Sequence, residues 1–376
     1  ISCQSEDNPN RYELIPYPND MEQMSGRFSF DDDTQIFISP ECGDEVNEIL
    51  ARFAEQFGKT AGKDLKIAEK GGKNMMIVKI DTTMSQEAYR LNISKKKIEI
   101  TAATPNGVRY ALQTVKQLLP VAIYGESLSA DENWSVPCAT INDAPRFGYR
   151  GMHLDVARHF FTLDEVKRIL NVMAVHKLNT LHWHLTDDQG WRIEIEKYPR
   201  LTQIGAYRDS TQIGGWNSPL YDVNIHGGYY TREDIREIVD FAAERHIEIV
   251  PEIEMPGHTS AAIAAYPELG SLKTPPTVAT YFNPTWGVFN VADERVIQFI
   301  QDVFDEIFDL FPSRYIHIGG DEVHPESWEA NSDISRFMKE KNLDNYSEVQ
   351  MLFTNRVASL IHSKGRTMIG WNDIMG

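Results

Sequence analysis

Short apolar segments alternate with amphipathic segments from residue 151 to the end of the chain. The five predicted strands are Gly151–Val156, Thr180–Leu185, Ile247–Ile253, Tyr315–Gly319 and Thr367–Trp371. The first predicted helix between them begins at Thr162. The others cover Thr231–Arg245, about Asp293–Leu310 and about Ser347–Ser363. Strands that alternate with helices predict a parallel sheet, which is either doubly wound or closed into a barrel.

Each of these strands ends in a group of polar or aromatic residues, at residues 155–158, 186–189, 254–258, 321–322 and 371–373. A doubly wound sheet places its site at one switch point, whereas a (β/α)8 barrel gathers chemistry from the ends of several strands. No strand leads into a Gly-x-Gly-x-x-Gly or Walker-type loop. We therefore predict an α/β fold with a (β/α)8 TIM-type barrel over residues 144–376. About five βα units are present, so the predicted barrel is incomplete at its C-terminal end.

The residues that precede the barrel predict a small α+β domain over residues 11–143. Its predicted strands are Thr34–Ser39, Met75–Ile80, Tyr89–Ile93 and Lys97–Thr101. Its predicted helices are Asp44–Phe57, which ends at Gly58, and Asn106–Leu119, which Pro120 stops. Residues 1–10 are polar and predict an N-terminal linker.

Composition excludes two classes of protein. The chain has 37 Lys and Arg against 55 Asp and Glu, for a formal net charge of −18. Because nucleic-acid binding needs a basic surface, we predict no nucleic-acid partner. The sequence also has no apolar run long enough to predict a membrane-spanning helix.

Three cysteines, Cys3, Cys42 and Cys138, are too few and too scattered to predict a disulfide framework or a zinc ribbon. Cys3 lies in a short polar stretch that resembles the start of a bacterial lipoprotein whose signal peptide has been removed. This resemblance predicts a lipid anchor at Cys3 and an exported protein, periplasmic or attached to the outer membrane. An ordinary surface thiol is the alternative.

The strongest local motif is the strand that runs into Gly319 and Gly320 and then into Asp321 and Glu322. The glycines permit a sharp exit from the strand and close approach by a ligand. Two adjacent carboxylates in a pocket do not both ionise freely, which favours one as a general acid and the other as a charged stabiliser. The alternative is an acidic N-cap on the following helix.

Four other residues are candidates for the site. Arg158 presents two donors in a fork that suits vicinal hydroxyls or a carboxylate, although it could simply pair with Asp155. His258 lies on a turn where it could hold a carboxylic acid and be oriented by Asp187, or could be satisfied by the backbone. Trp371 offers an aromatic face to a sugar, or packs in the core.

His182 and His184 lie on the same face of their strand, with a spacing found in metal sites. With Asp187 and His258 as further ligands, they would make the protein a metal-dependent barrel hydrolase. The alternative is two core-facing histidines that are bonded to their neighbours.

At these motifs the chain resembles glycoside hydrolase family 20, the β-N-acetylhexosaminidases. The matching segments cover residues 89–93, 107–114, 146–151, 154–158, 182–189, 256–258 and 317–322, and so extend along nearly the whole chain. The last of these is the most specific.

The resemblance implies exo-hydrolysis of terminal β-linked GlcNAc or GalNAc from glycans, with retention and without cofactor or metal. In this mechanism the substrate's own acetamido oxygen attacks the anomeric carbon and forms an oxazolinium intermediate. Glu322 corresponds to the general acid, and Asp321 to the residue that orients the acetamido N–H. By the same resemblance, Arg158 clamps the 3- and 4-hydroxyls and Trp371 walls the acetamido pocket.

The resemblance also makes Asp187 and His258 a relay onto the general acid.

The sequence departs from the family pattern in two places. Residues 371–373 are Trp-Asn-Asp, where the family often has Trp-Asp-Glu. The family's later pocket residues would follow Gly376, so we expect the chain to be a fragment of a longer enzyme. A catalytically silent glycan-binding protein is the rival function.

Overall fold

A computed structural model of the protein describes residues 12–70, 72–215, 217–272, 277–282 and 286–375. The chain divides into two compact units, one formed by the residues up to 150 with 172–178, and the other by 151–171 with 179–376. Cys3 and the predicted linker over residues 1–10 lie outside the described residues, so the lipid anchor stays a prediction.

The first unit contains a seven-stranded mixed sheet and two helices. Its strands are β1 (Asp20–Ser29), β2 (Gln35–Ile38), β3 (Lys66–Ala68), β4 (Met75–Ile80), β5 (Tyr89–Ile93), β6 (Lys97–Ala102) and β7 (Ser135–Asp143), in the order β1-β7-β5-β6-β4-β2-β3. Its helices are α1 (Gly43–Ala61) and α2 (Pro105–Leu118), with short 3-10 helices at Pro40–Cys42 and Val121–Tyr124. The buried apolar side chains of the sheet and of both helices form one core.

The prediction that α1 ends at Gly58 is wrong. The helix continues to Ala61 and ends at Gly62, whose φ of 69° is left-handed and suits glycine. A glycine inside a helix costs only about 1 kcal/mol, and burial of Thr60 and Ala61 in the additional turn offsets that cost.

The sequence analysis missed β1 and β7 for two different reasons. Most of β1 is exposed, so it carries little apolar alternation. The first five residues of β7 are all buried, so both of its faces are covered and no alternation is visible there.

The residues from 151 onward form a parallel five-stranded sheet with added short strands. The strands are β8 (Gly151–Asp155), β9 (Thr180–His184), β10 (Thr186–Asp187), β11 (Gly190–Trp191), β12 (Tyr207–Arg208), β13 (Thr211–Gln212), β14 (Tyr221–Asp222), β15 (His226–Gly227), β16 (Glu248–Glu252), β17 (Tyr315–His317) and β18 (Thr367–Ile369). The sheet order β8-β9-β16-β17-β18 follows the chain order without reversal. This is the order of a barrel, because a doubly wound sheet reverses at its switch point.

Helices separate the strands of this sheet. They are α3 (Leu163–Val175), α4 (Arg200–Gln203), α5 (Arg232–Ala243), α6 (Ser260–Ala265), α7 (Glu294–Leu310), α8 (Glu326–Glu329), α9 (Ser332–Lys341) and α10 (Tyr346–Ser363), with 3-10 helices at Pro267–Leu269 and Asn372–Met375. None of the helices among the described residues combines the length and the apolar content needed to cross a bilayer.

Local sequence sets the starts of these helices. Thr231 and Asp234 form a reciprocal capping box at α5. Asp293 caps α7 by accepting a hydrogen bond from the Arg295 amide. At α3 one half of a capping box is present, because the Glu165 carboxylate accepts from the Thr162 amide at 2.7 Å.

Candidate active site

One row of residues crosses the carboxyl ends of the parallel strands. The pairing register places Asp155, His184, Glu252, His317 and Ile369 side by side across β8, β9, β16, β17 and β18. Four of these five side chains are polar. The predicted site residues come directly after this row, so the strand ends bring them together.

The turn after β17 carries the two adjacent carboxylates. Gly319 and Gly320 have φ values of 65° and 91°, and Glu322 is also left-handed at 46°. A Cβ on Gly319 would lie 1.7 Å from the Glu254 carboxylate, so only glycine fits there. A non-glycine residue held at positive φ, as Glu322 is, commonly marks a functional site.

Asp321 and Glu322 differ in their surroundings. The Asp321 side chain is 26% exposed and that of Glu322 is 55% exposed. Burial, opposed by His258 and reinforced by Glu252 and other nearby acids, raises the pKa of Asp321 above its ordinary value. Neither residue caps a helix, because the next helix, α8, has Pro325 at its N-cap. The alternative of an acidic N-cap is therefore wrong.

His258 links these carboxylates to a buried acidic pair. Its Nδ1 lies 3.1 Å from Asp188 Oδ2 and 3.3 Å from Asp187 Oδ1. Its Nε2 faces the other way, 3.6 Å from Glu322 Oε2 and 3.9 Å from Asp321 Oδ2. Burial opposes the charged imidazole, but the two aspartates outweigh it and raise the pKa of His258 to about 12.

Asp188 is a site residue that sequence reasoning missed. It is buried and accepts hydrogen bonds from His258 and from both the amide and the hydroxyl of Ser260, at the start of α6. It therefore fixes the turn that carries His258. The Asp187-Asp188 doublet was a visible signal, but spacing does not tell which aspartate bonds the imidazole.

Arg158 is held by several partners. Its Nη1 lies 2.9 Å from Asp155 Oδ2, its Nη2 2.8 Å from Asp187 Oδ2, and its Nε 3.2 Å from Gln189 Oε1. The ion pair with Asp155, which we considered as the alternative, is therefore present. The side chain remains 29% exposed, and a guanidinium has five N–H donors, so donors remain for a ligand.

Arg192 also escaped the sequence analysis. This fully buried guanidinium donates to the backbone carbonyls of Val156, Ala157, Gln189, Ala206 and Gly228. Burial and the neighbouring Arg208 lower the pKa of Arg192 to about 9. By bonding Val156 and Ala157, Arg192 fixes the strand end that carries Arg158.

Trp371 follows β18 and closes the row of strand ends. Its amide donates to the Gly319 carbonyl at 2.9 Å, which ties it to the two-glycine turn. Its ring centroid lies 4.8 Å from that of His317 and 5.5 Å from that of His182. The ring is half-buried and packs on imidazoles.

Glu252 is surrounded by histidines. Its Oε2 lies 2.7 Å from both His182 Nε2 and His184 Nδ1, and its Oε1 lies 2.8 Å from His317 Nδ1. Three ligand atoms lie within 4.8 Å of one another in four groups of the described residues, and two of these groups contain Glu252. Two ligands of a tetrahedral zinc ion lie about 3.3 Å apart. The shorter separations here place the carboxylate in ion-pair contact with the imidazoles, although without hydrogen-bond angles at His182 Nε2 and His184 Nδ1. Both predicted histidines therefore have an acidic neighbour.

Glu254 is another residue of the site to which the sequence analysis gave no role. It is buried, its amide donates to Thr186 Oγ1, and its carboxylate accepts weakly from the Gly320 amide at 3.4 Å. Burial, together with the Glu252 charge, raises the pKa of Glu254 well above its ordinary value. Its carboxyl group therefore tends to be neutral.

Comparison with known proteins identifies the family of this arrangement. Residues 147–376 match the catalytic domain of glycosyl hydrolase family 20, and residues 11–144 match domain 2 of the same family. The chain belongs to glycosyl hydrolase family 20. The resemblance that the sequence motifs indicated is thus confirmed.

Curated relatives match the sequence of this family 20 chain along nearly all of its length. It is 37% identical to a β-hexosaminidase of Porphyromonas gingivalis, over 96% of this chain and 45% of the relative. It is 35% identical to a β-hexosaminidase of Vibrio furnissii, over 96% of this chain and 57% of the relative. The chain therefore spans about half the length of the curated relatives that it matches.

Solved structures of family 20 have the same fold. An exo β-N-acetylglucosaminidase from Vibrio harveyi, in complex with N-acetylglucosamine, matches with a TM-score of 0.81 and 35% identity, over 95% of this chain and 54% of that one. A mutant β-hexosaminidase of Streptomyces plicatus, in complex with its product GlcNAc, matches with a TM-score of 0.79 and 34% identity, over 95% and 65%. The predicted fold class, a TIM-type barrel preceded by a small domain, is confirmed, while its incompleteness stays a prediction.

The structure brings together the residues that the sequence analysis selected for the family 20 site. Asp321, Glu322, His258 and Asp187 form one contiguous group, and Arg158 joins it through Asp187. Trp371 joins through the Gly319 backbone. The catalytic and binding roles of these residues stay predictions.

Proposed function

We propose that the protein is an exo-acting β-N-acetylhexosaminidase that removes terminal β-linked GlcNAc or GalNAc from glycans. The observation that carries this proposal is the pair Asp321 and Glu322, with Glu322 Oε2 3.6 Å from His258 Nε2. Family membership supports the same reaction. N-acetylhexosamine-containing glycans are the proposed partners.

The geometry suits a substrate-assisted mechanism. The acetamido oxygen of the substrate forms a bond to the anomeric carbon while the glycosidic C–O bond breaks. Glu322 gives its proton to the departing oxygen and becomes a carboxylate. Water then attacks the anomeric carbon, Glu322 takes a proton from it, and the acetamido oxygen leaves. Two displacements at one carbon retain the β configuration.

Asp321 is placed to stabilise the intermediate. A positive charge develops across the acetamido group as its oxygen attacks, and a carboxylate directed at the acetamido N–H lowers the energy of that charge. Asp321 is partly buried, and water screens a charge less in such a position. Glu322 is the more exposed of the two, so a leaving group and a water molecule can reach it.

The test is hydrolysis of a chromogenic β-GlcNAc glycoside by the full-length protein, with the first-formed anomer followed by NMR. We expect turnover, with β-GlcNAc as the first product. A protein that binds GlcNAc without turnover would instead be a silent glycan-binding protein. Formation of α-GlcNAc first would contradict the double displacement.

A further inference from the structure

Carboxylates and imidazoles alternate in a series of contacts that begins at the buried Glu252 and ends at Glu322, the proposed general acid. Glu252 Oε2 lies 2.7 Å from His184 Nδ1, and His184 Nε2 lies 2.9 Å from Asp187 Oδ2. Asp187 Oδ1 lies 3.3 Å from His258 Nδ1, and His258 Nε2 lies 3.6 Å from Glu322 Oε2. These five side chains come from β9, β16 and the segments that follow β9, β16 and β17. We refer to them as the extended relay.

His184 is the inner imidazole of the extended relay. Its side chain is 3% exposed, and both of its ring nitrogens face carboxylates that are fully buried. Burial opposes its charge, but Glu252 and Asp187 outweigh this and raise the pKa of His184 well above 6.5. The relay therefore alternates in charge, with negative Glu252 and Asp187 and positive His184 and His258.

Asp187 is where the extended relay meets the proposed sugar clamp. Its Oδ2 accepts from His184 Nε2 and also lies 2.8 Å from Arg158 Nη2. Its Oδ1 faces His258 and accepts from the Asp188 amide at 2.6 Å. A carboxylate fixed at both oxygens has little freedom to rotate, so the position of Asp187 determines where the His258 ring can point.

Several other charged or titratable groups face the extended relay. They are His153 and Arg158 at β8, His182 and Asp188 on the β9 side, Glu254 after β16, and His317 and Asp321 on the β17 side. Among these, His182 is a close match for His184. It lies two residues earlier on the same strand face and contacts the same Glu252 oxygen at the same 2.7 Å.

We propose that His184 is a positioning residue for the acid–base group, which it controls by holding Asp187 in place between Glu252 and His258. This inference rests on the proposed function. It extends the predicted Asp187–His258 relay by two residues, His184 and Glu252. It also distinguishes His184, which contacts both Glu252 and Asp187, from His182, whose contact in this group is with Glu252.

Two variants of His184 separate its hydrogen bond from its charge. H184Q places an amide N–H near the Nε2 position and so keeps a donor for Asp187, whereas H184N keeps only the donor toward Glu252. Both variants remove the positive charge. H182Q is the matched control, since burial lowers the pKa of His182 and leaves it largely neutral at pH 7.

The first measurement is the pH dependence of kcat/KM on a chromogenic GlcNAc glycoside. The general acid must be protonated, so activity falls as pH rises through its pKa. Removing a nearby cation raises that pKa. Both His184 variants should therefore move the basic limb to higher pH, and H184Q should retain a higher kcat than H184N with similar KM. H182Q should leave the pH of this basic limb unchanged, even where its kcat differs from that of the wild type.

The second measurement does not depend on activity. In protein labelled with 15N-histidine, the His258 ring signals are assigned by their loss in H258Q. These signals should shift in H184N and H184Q but not in H182Q. If the His184 variants match H182Q in both measurements, the positioning role is wrong. If the wild-type protein lacks glycosidase activity, the proposed function fails, and the His258 signals alone decide whether His184 acts on His258.

Discussion

At the scale of single residues, environment separates the two adjacent carboxylates. Asp321 is the more buried, and Glu322 is the more exposed and lies nearer His258. The sequence could predict that the pair divides the work of catalysis, because two neighbouring acids rarely share one environment. It could not predict Asp188 as a partner of His258, because that contact depends on how the turn after β16 folds back onto β10.

Replacement of Asp321 by Asn should reduce kcat on 2-acetamido substrates by roughly 10²–10³-fold, because the developing positive charge loses its carboxylate. A thiazoline mimic of the intermediate should bind the wild-type protein far more tightly than substrate does, and D321N should lose that preference. Inhibition constants for the mimic check this. If the mimic binds wild type no better than free sugar does, substrate assistance is wrong.

The pKa of Asp321 also sets a pH limit. Burial raises this pKa above 3.8, and the carboxylate is needed in its ionised form. Activity should therefore fall as pH decreases through the raised value, giving an acidic limb above the ordinary pKa of an aspartate. This limb should be absent from the kcat/KM profile of D321N. If D321N keeps it, the limb belongs to another group.

Replacement of Arg158 by Lys should weaken GlcNAc binding by about 1–3 kcal/mol, because a point charge does not replace a two-pronged fork. Titration calorimetry with GlcNAc measures this directly. The same substitution breaks the contacts with Asp155 and Asp187, so thermal unfolding is the control. Unchanged affinity with a lower Tm would make Arg158 a structural ion-pair residue.

At the scale of elements, most strands and long helices were predictable because their apolar periodicity reports burial directly. Strands β4 and β5 match their predicted bounds residue for residue. The exposed β1 and the short helices α4, α6 and α8 were missed, since an exposed strand or a single helical turn leaves no periodic pattern. The short strand pairs β12-β15 and β13-β14 were likewise not predicted.

The close packing of Gly319, in the turn after β17, can be tested by substitution. G319A places a methyl group 1.7 Å from the Glu254 carboxylate at a φ of 65°. G365A is the matched control, because its φ is 73° but no atom lies within 4 Å of the added carbon. Urea unfolding should show a loss of about 2–5 kcal/mol for G319A and about 1 kcal/mol for G365A. Equal losses would mean that Glu254 moves aside freely.

At the scale of the whole molecule, the fold class followed from alternation of strands and helices, and the choice of a barrel followed from where the polar residues fall. The sheet order β8-β9-β16-β17-β18 bears out that reasoning. The sequence could not show the extended relay, because its members lie on β9, β10, β16 and the turns after β16 and β17, which only the parallel register brings together. Glu252 and Glu254 looked like ordinary strand-end acids until the histidines of β9 and β17 were placed around them.

The central claim is that Glu322 donates the proton to the leaving group. The measurement is kcat/KM of wild type and E322Q across a series of aryl β-GlcNAc glycosides whose leaving groups span a wide range of pKa. A good leaving group needs little protonation. E322Q should therefore lose most activity on the poorest leaving groups and retain much of it on the best, so its Brønsted plot steepens. An equal loss across the whole series would contradict the assignment of Glu322 as the general acid.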